Sequence, residues 1–364
     1  MNKIILNGLY HEFSNALTEN SISFEASTTL SSNDYRLLIV QPSDWLVLGS
    51  FAQSIDCRFV AIWACHVGNE IQINGCFEKK GEYLLLRSSL SEKAPEIHTL
   101  TSVYPAANRP ERHIHDMYGV IFTNHPHFIR WTRHQAWSEN EFPLRKDFSD
   151  NPGRNKLTPA DIEYPFARIE GSEICEVPVG PVHAGIIEPG HFRFHIAGEE
   201  ILNLEERLGY VHKGIEKLAE GKSINKLIRL ASRISGDSTV AHAWATAKAC
   251  ETAANIDVPK HALFIRGIML ERERVGNHLG DIAAICNDVG FAFAYYQLTR
   301  LRELWVEMNA LIFGHRFIMD AIVFGGVKND ITHDNIKQMI QQIDEFKKET
   351  SELFDMIENN NSLQ

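Results

Sequence analysis

The feature that most restricts the fold is a single change of hydrophobic period along the chain. Up to about residue 100 the apolar residues fall in strand-length runs, and after Gly209 they recur at helical spacing almost to the end. Residues 58–66, 70–77 and 82–87 are such runs, punctuated by Asn74-Gly75 and Lys80-Gly81, so a sheet is predicted there with a helix over 44–54. Residues 191–196 alternate and Gly198 marks a turn, which predicts a hairpin. Further on, Phe264, Ile268, Val275, Leu279 and Ile282 share one stripe, predicted to be a buried helix face, with Glu271, Arg272, Glu273 and Arg274 available for ion pairs. Residues 303–320 and 334–358 are predicted helices, the first ending near the Gly325-Gly326 turn. The fold class is therefore α+β: a small N-terminal α/β sandwich domain, then a mainly helical domain carrying a small antiparallel sheet.

A chain of 364 residues is long enough for two or three domains. The polar, turn-rich stretch 150–155 reads as the start of a linker, which divides the chain into a domain over 1–150, a linker over 151–175 and a domain over 176–364. A formal charge of −11 argues against nucleic acid as a partner, since that needs a basic face. Residues 1–7 are too short in their apolar part for a secretion signal, and no run reaches the roughly 18 apolar residues of a membrane span. Cytoplasmic placement, with any membrane association made through a partner, is the expectation. The six cysteines form no C-x-x-C pair, which disfavours a zinc knot or an iron–sulfur cluster and predicts reduced, mostly buried thiols.

Residues 104–122 change character. Pro110 stands at a helix start, Glu111, Arg112 and Asp116 follow within a turn or two, and Gly119 marks the stop. His125-Pro126 and the run 143–148 come next. These residues resemble the signature of the 30-kDa-type subunit of respiratory complex I, with His113 standing where that pattern usually has a second Glu. The resemblance implies that residues 1–150 are a structural docking module whose charges serve as fold and interface ion pairs rather than as catalysts. His113, His115, His125 and His127 have spacings that suit neither one helix face nor a zinc pattern, and are expected to be solvated or interface residues.

The second domain carries Gly180-Pro-Val-His183, then runs at 188–193, 210–220, 233–242, 271–279 and 325–330. These resemble the large subunit of group 4 membrane-bound nickel–iron hydrogenases and, equally, the homologous 49-kDa-type subunit of complex I. In the hydrogenase branch the stretch equivalent to 233–242 holds two nickel-binding cysteines at the positions of Ser235 and Ser238, and a second pair lies near the C-terminus. A serine hydroxyl is a hard, weak donor that cannot stand in for a bridging thiolate. No nickel–iron centre and no hydrogen chemistry are expected of this chain. The complex I branch places a His-Pro-x-x-His pair and a Tyr at the quinone headgroup; here His183 matches the first His, Ile187 stands for the second and Gly236 for the Tyr. The quinone site is thus altered, although NAD or quinone remains the ligand the resemblance implies.

Three residues remain as a proton relay or cavity lining by the same resemblance. Glu188 matches a glutamate that passes protons, or else simply precedes the Pro189-Gly190 turn; His183 lies in the same loop; His242 either shuttles protons or is a satisfied core histidine on a helix capped by Asp237 or Ser238. Glu216 matches a glutamate that holds magnesium in some hydrogenases, or else pairs with Lys213 or Lys217. The resulting expectation is a metal-free, hydrogenase-like large subunit of a complex I-related, membrane-associated oxidoreductase or ion-translocating complex, acting as scaffold and proton path. Its expected partners are a small iron–sulfur subunit and antiporter-like membrane subunits, which would hold it peripherally on the inner face of the cytoplasmic membrane. Two alternatives stand beside it: a quinone-reducing NADH–quinone oxidoreductase-type subunit with an altered quinone site, and a non-catalytic remnant truncated at its C-terminus, which would leave a large apolar surface exposed.

Overall fold

In a computed structural model the chain is described over residues 8–19, 22–27, 35–134, 140–148, 164–171, 173–183, 188–361 and 363. It divides into two units, Met1–Lys217 and Leu218–Gln364. The domain boundary expected near residue 150 falls outside the described residues. Most of the expected linker, residues 151–163 and 172, lies outside the described residues, and the small sheet that follows it packs within the first unit.

In the first unit the alternating runs become strands. The elements are α1 (Gly8–Glu19), β1 (Phe24–Ser27), β2 (Tyr35–Val40), α2 (Trp45–Ser54), β3 (Arg58–Val67), β4 (Glu70–Lys79), β5 (Glu82–Ser91), β6 (Glu96–His98), α3 (Asn108–Tyr118), β7 (Ile121–Thr123), β8 (Ile174–Val179), β9 (His191–Ala197), β10 (Glu200–Arg207) and α4 (Ile215–Ala219). Five strands form one sheet in the order β1-β2-β5-β4-β3, antiparallel except for the β2–β5 pair. The β4–β5 hairpin turns at Lys80 and Gly81, both at positive φ, as a two-residue turn of the primed kind requires. Leu84, Leu86 and Leu90 point from β5 into a core shared with Phe13, Leu17, Trp45 and Phe77. Fully burying each such side chain stabilises by roughly 1.5–3 kcal/mol.

The helix α3 follows the sequence expectation closely. It stops where Gly119 takes φ 76° and donates its N–H to the His115 carbonyl at 2.8 Å. A Cβ there would also lie 2.5 Å from the Phe142 ring, so the position requires glycine twice over. The expected hairpin is β9–β10, extended by β8 into a three-stranded antiparallel sheet.

The second unit contains α5 (Ile224–Ala231), α6 (Thr239–Ala253), α7 (Lys260–Asp288), α8 (Ala292–Phe313), the two-residue strands β11 (Ile322–Val323) and β12 (Gly326–Val327), and α9 (His333–Glu358). Two expectations need correction. The helix predicted over 303–320 is α8, which begins earlier and ends at Gly314, φ 83°, because only glycine-like backbone closes its last turn there. The apolar stripe of α7 is not the buried face. The buried face carries Ile265, Met269, Gly276, Ala283 and Cys286 together with two arginines, and of the predicted stripe only Leu279 is buried. Phe264 is 74% exposed, and Ile268, Val275 and Ile282 line a groove of about 1070 Å³ between α7 and α9.

The arginines on the buried face hold the helices in register. Arg266 makes a two-point ion pair with Glu251, at 2.7 and 3.0 Å, and also donates to the carbonyls of Val323 and Gly326. The Gly325 N–H completes the carboxylate shell at 2.8 Å. Arg272 donates to Asn309, to the Trp305 carbonyl at 3.0 Å and to Gln342 at 2.9 Å, and lies 4.1 Å over the Trp305 ring. Burial among these neutral acceptors pulls its pKa down to about 10.

Candidate functional site

The stretch 233–242 leaves α5 and enters α6. Arg233 grips Asp320 through two bonds of 2.9 and 2.7 Å, which fixes the start of the turn. Ser235 is extended, with φ −143° and ψ 140°, and residues Gly236–Ser238 form a single 3₁₀ turn. The Thr239 hydroxyl then donates back to the carbonyl of Ser232 at 3.2 Å. Neither Asp237 nor Ser238 caps α6 with its side chain, contrary to expectation. The cap is Glu273, whose carboxylate accepts the N–H groups of Val240 and Ala241 at 2.6 and 3.1 Å. A carboxylate thirty-odd residues away does this better than a serine would, because it brings full negative charge to the positive end of the helix. Burial, outweighing the two N–H bonds, raises the Glu273 pKa. Asn277 holds the Asp237 carbonyl at 2.6 Å.

Behind the turn is a cavity of about 20 Å³, lined among others by Gly236, Asp237, Glu273, Asn277 and Arg316. It has room for about one water. Its donors and acceptors are carboxylates, amides and guanidinium groups, and the stretch itself supplies Ser235 and Ser238 where the resemblance would have thiolates. Serine hydroxyls are hard oxygen donors, a poor match for nickel with low-spin iron. His242 lies half-buried on α6 in this same unit.

The other relay residues belong to the first unit. His183 shares a ring-nitrogen hydrogen bond of 2.7 Å with the Gly190 carbonyl, within a loop also closed by the Gly190 N–H donating to Pro181 at 2.9 Å. The imidazole is occupied within its own loop, Ile187 lies outside the described residues and Gly236 offers no side chain. Glu188 is exposed and pairs with Lys213 at 3.1 Å. His183 and Glu188 thus share a unit, and His242 is in the other.

The 30-kDa-like signature is spent on backbone. The Asp116 carboxylate accepts three successive N–H groups, from Trp131, Thr132 and Arg133, at 2.7, 2.7 and 3.0 Å. Arg112 donates to the carbonyls of Ile129 and Arg130 at 2.6 and 3.2 Å. Glu111 is fully buried and accepts from the Thr99 and Thr101 hydroxyls and from the Leu100 N–H, while burial pushes its pKa up to about 6. These charges shape loops rather than pair with one another.

The loop so shaped, 130–134, also meets the end of β10. Arg207 donates to the carbonyls of Arg130, Trp131 and Arg133, and the His134 ring bonds the Leu208 carbonyl at 2.7 Å. Gly209, at φ 84°, follows; a Cβ there would approach the Thr132 Cα to 3.3 Å. The turn after it delivers His212 and, at the start of α4, Glu216 to His113 of α3. One ligand-capable atom from each of these three lies within 4.8 Å of the others. Lys213 pairs with Glu188, and Lys217 donates to the Arg145 carbonyl at 3.0 Å. Two imidazoles beside Glu216 do not fit magnesium, which demands an oxygen shell. The His212–Glu216 spacing was readable in the sequence; His113, about a hundred residues earlier, carried no sign of joining them.

Comparison with known proteins assigns the regions. Residues 38–153 match the family described as respiratory-chain NADH dehydrogenase, 30 Kd subunit; residues 213–280 match nickel-dependent hydrogenase; residues 288–364 match respiratory-chain NADH dehydrogenase, 49 Kd subunit. Hydrogenase-4 component G of Escherichia coli (strain K12) is 36% identical over 276 residues, covering 76% of this chain and 50% of that protein. Formate hydrogenlyase subunit 5 of the same strain is 34% identical over 277 residues, covering 76% and 49%. The C/D subunit of NADH-quinone oxidoreductase from Phocaeicola vulgatus is 28% identical over 286 residues, covering 74% and 54%. The chain spans about half the length of these relatives. Among the described residues no helix is long and apolar enough to cross a membrane.

Proposed function

Because the chain is a fusion of a 30-kDa-type domain with a hydrogenase-like, 49-kDa-type domain, we propose that it works as a hydrogenase-like subunit of a complex I-related, membrane-associated redox or ion-translocating assembly, without a nickel–iron centre of its own. Its role in this reading is scaffold, with a proton path that starts at the exposed Glu188. The observation that carries the reading is the pair Ser235 and Ser238 on the turn into α6, where a hard hydroxyl set replaces soft thiolates. Relatives named as hydrogenase, formate hydrogenlyase and NADH-quinone oxidoreductase subunits support the assembly. A small iron–sulfur subunit and antiporter-like membrane subunits are the proposed neighbours, and the inner face of the cytoplasmic membrane the proposed place.

Hydrogen-dependent reduction of an artificial dye by the isolated assembly tests the reading. No turnover that depends on this chain is expected. Turnover abolished by Ser238→Ala would contradict it.

A further inference from the structure

We propose that His113, His212 and Glu216 form a site for one first-row transition-metal dication of the zinc class, which braces α3 against the turn that opens α4. The site lies in the first unit and is independent of the stretch 233–242. Two imidazoles and one carboxylate are the borderline nitrogen and oxygen donors that zinc and its neighbours prefer, and three protein ligands leave a fourth tetrahedral position for water.

The local geometry prepares the ligands. His113 shares a 2.7 Å bond between its Nδ1 and the Thr132 hydroxyl, which fixes the ring and leaves its other nitrogen available to ligate. Thr132 is itself fixed, because its N–H donates to the buried Asp116 carboxylate at 2.7 Å. The His212 Nδ1 faces the Gly214 N–H at 3.3 Å, and the rings of His113 and His212 have centroids 5.7 Å apart at 40°. Glycines at φ 84° and 64° on either side of His212, at positions 209 and 214, allow the chain to fold back so tightly. The half-exposed setting, with His212 and Glu216 at the surface, leaves an entry path.

Zinc titration of the full chain against a chromophoric chelator is the test, read together with cobalt substitution. One equivalent of zinc is expected to bind at micromolar concentration or tighter, to raise the melting temperature and to resist magnesium in large excess. Cobalt in its place should give the intense visible absorption of a four-coordinate ion. His113→Gln and His212→Gln should each abolish that equivalent. Thr132→Val, which removes only the orienting hydroxyl, should weaken it about 10- to 100-fold. Absence of a saturable equivalent, a pale six-coordinate cobalt spectrum in the unaltered chain, or stoichiometric binding retained in both histidine variants would overturn the proposal.

Discussion

Both units bury charges, and they use them differently. In the first unit Glu111, Arg112, Asp116 and Arg207 each bind backbone groups of loops that have no regular structure of their own. In the second, Arg266 and Glu251 bind each other across α6 and α7 and share the backbone of the β11–β12 turn between them. The first pattern makes loop shape and the second makes helix register. A site can be assembled from distant residues where loops are shaped, and the three-ligand cluster sits on such a loop. Where helices are registered, the stretch 233–242 is held in place without thiolate ligands.

Substitutions separate the two patterns. The largest effect is expected at Arg266→Ala, which strands the Glu251 carboxylate inside the second unit. A loss of about 3–5 kcal/mol is expected in denaturant unfolding, and a loss under about 1 kcal/mol would mean that the pair is not truly desolvated. Asp116→Ala removes the acceptor of three N–H groups and should cost about 3 kcal/mol in the first unit. It should also weaken zinc binding, because Thr132 loses its anchor, whereas Arg266→Ala should leave zinc binding unchanged.

The titration of Glu111 sharpens the contrast. Its folded pKa of about 6 lies above the ordinary 4.5, so the folded unit binds the proton more tightly than the unfolded chain. That contribution is fully present below about pH 4.5 and is lost as pH rises through about 6, an effect of about 2 kcal/mol. Unfolding at pH 4.5 and 6.5 should show it, and Glu111→Gln should flatten the difference. The smallest effect belongs to the groove: Phe264→Ser should change stability by no more than about 0.5 kcal/mol, whereas Met269→Ala on the opposite face should cost about 2–5 kcal/mol.

Strand runs, the hairpin, the helix ended by Gly119 and the two family likenesses were legible in the sequence because each rests on local periodicity or on a contiguous motif. The buried face of α7 was not. Periodicity identifies an apolar stripe but says nothing of what covers it, and here the apolar stripe faces a groove while Arg266 and Arg272 face the core among carboxylate, amide and carbonyl acceptors. The cap of α6 is hidden from the sequence for a related reason, since Asp237 and Ser238 are adjacent to the helix and Glu273 is not. Of the candidate site, the serines could be read in place, but the joining of His113 to His212 and Glu216 depends on Gly209 closing on Thr132, a contact between residues far apart in the chain.

Whether the stretch 233–242 works without nickel and iron is decided by the content of both metals in the purified full-length chain, produced with both available. No equimolar nickel and iron are expected, either in the unaltered chain or in a His113→Gln variant that removes the proposed zinc-class site. Equimolar nickel and iron retained in that variant, and lost in Ser235→Ala, would contradict the metal-free reading.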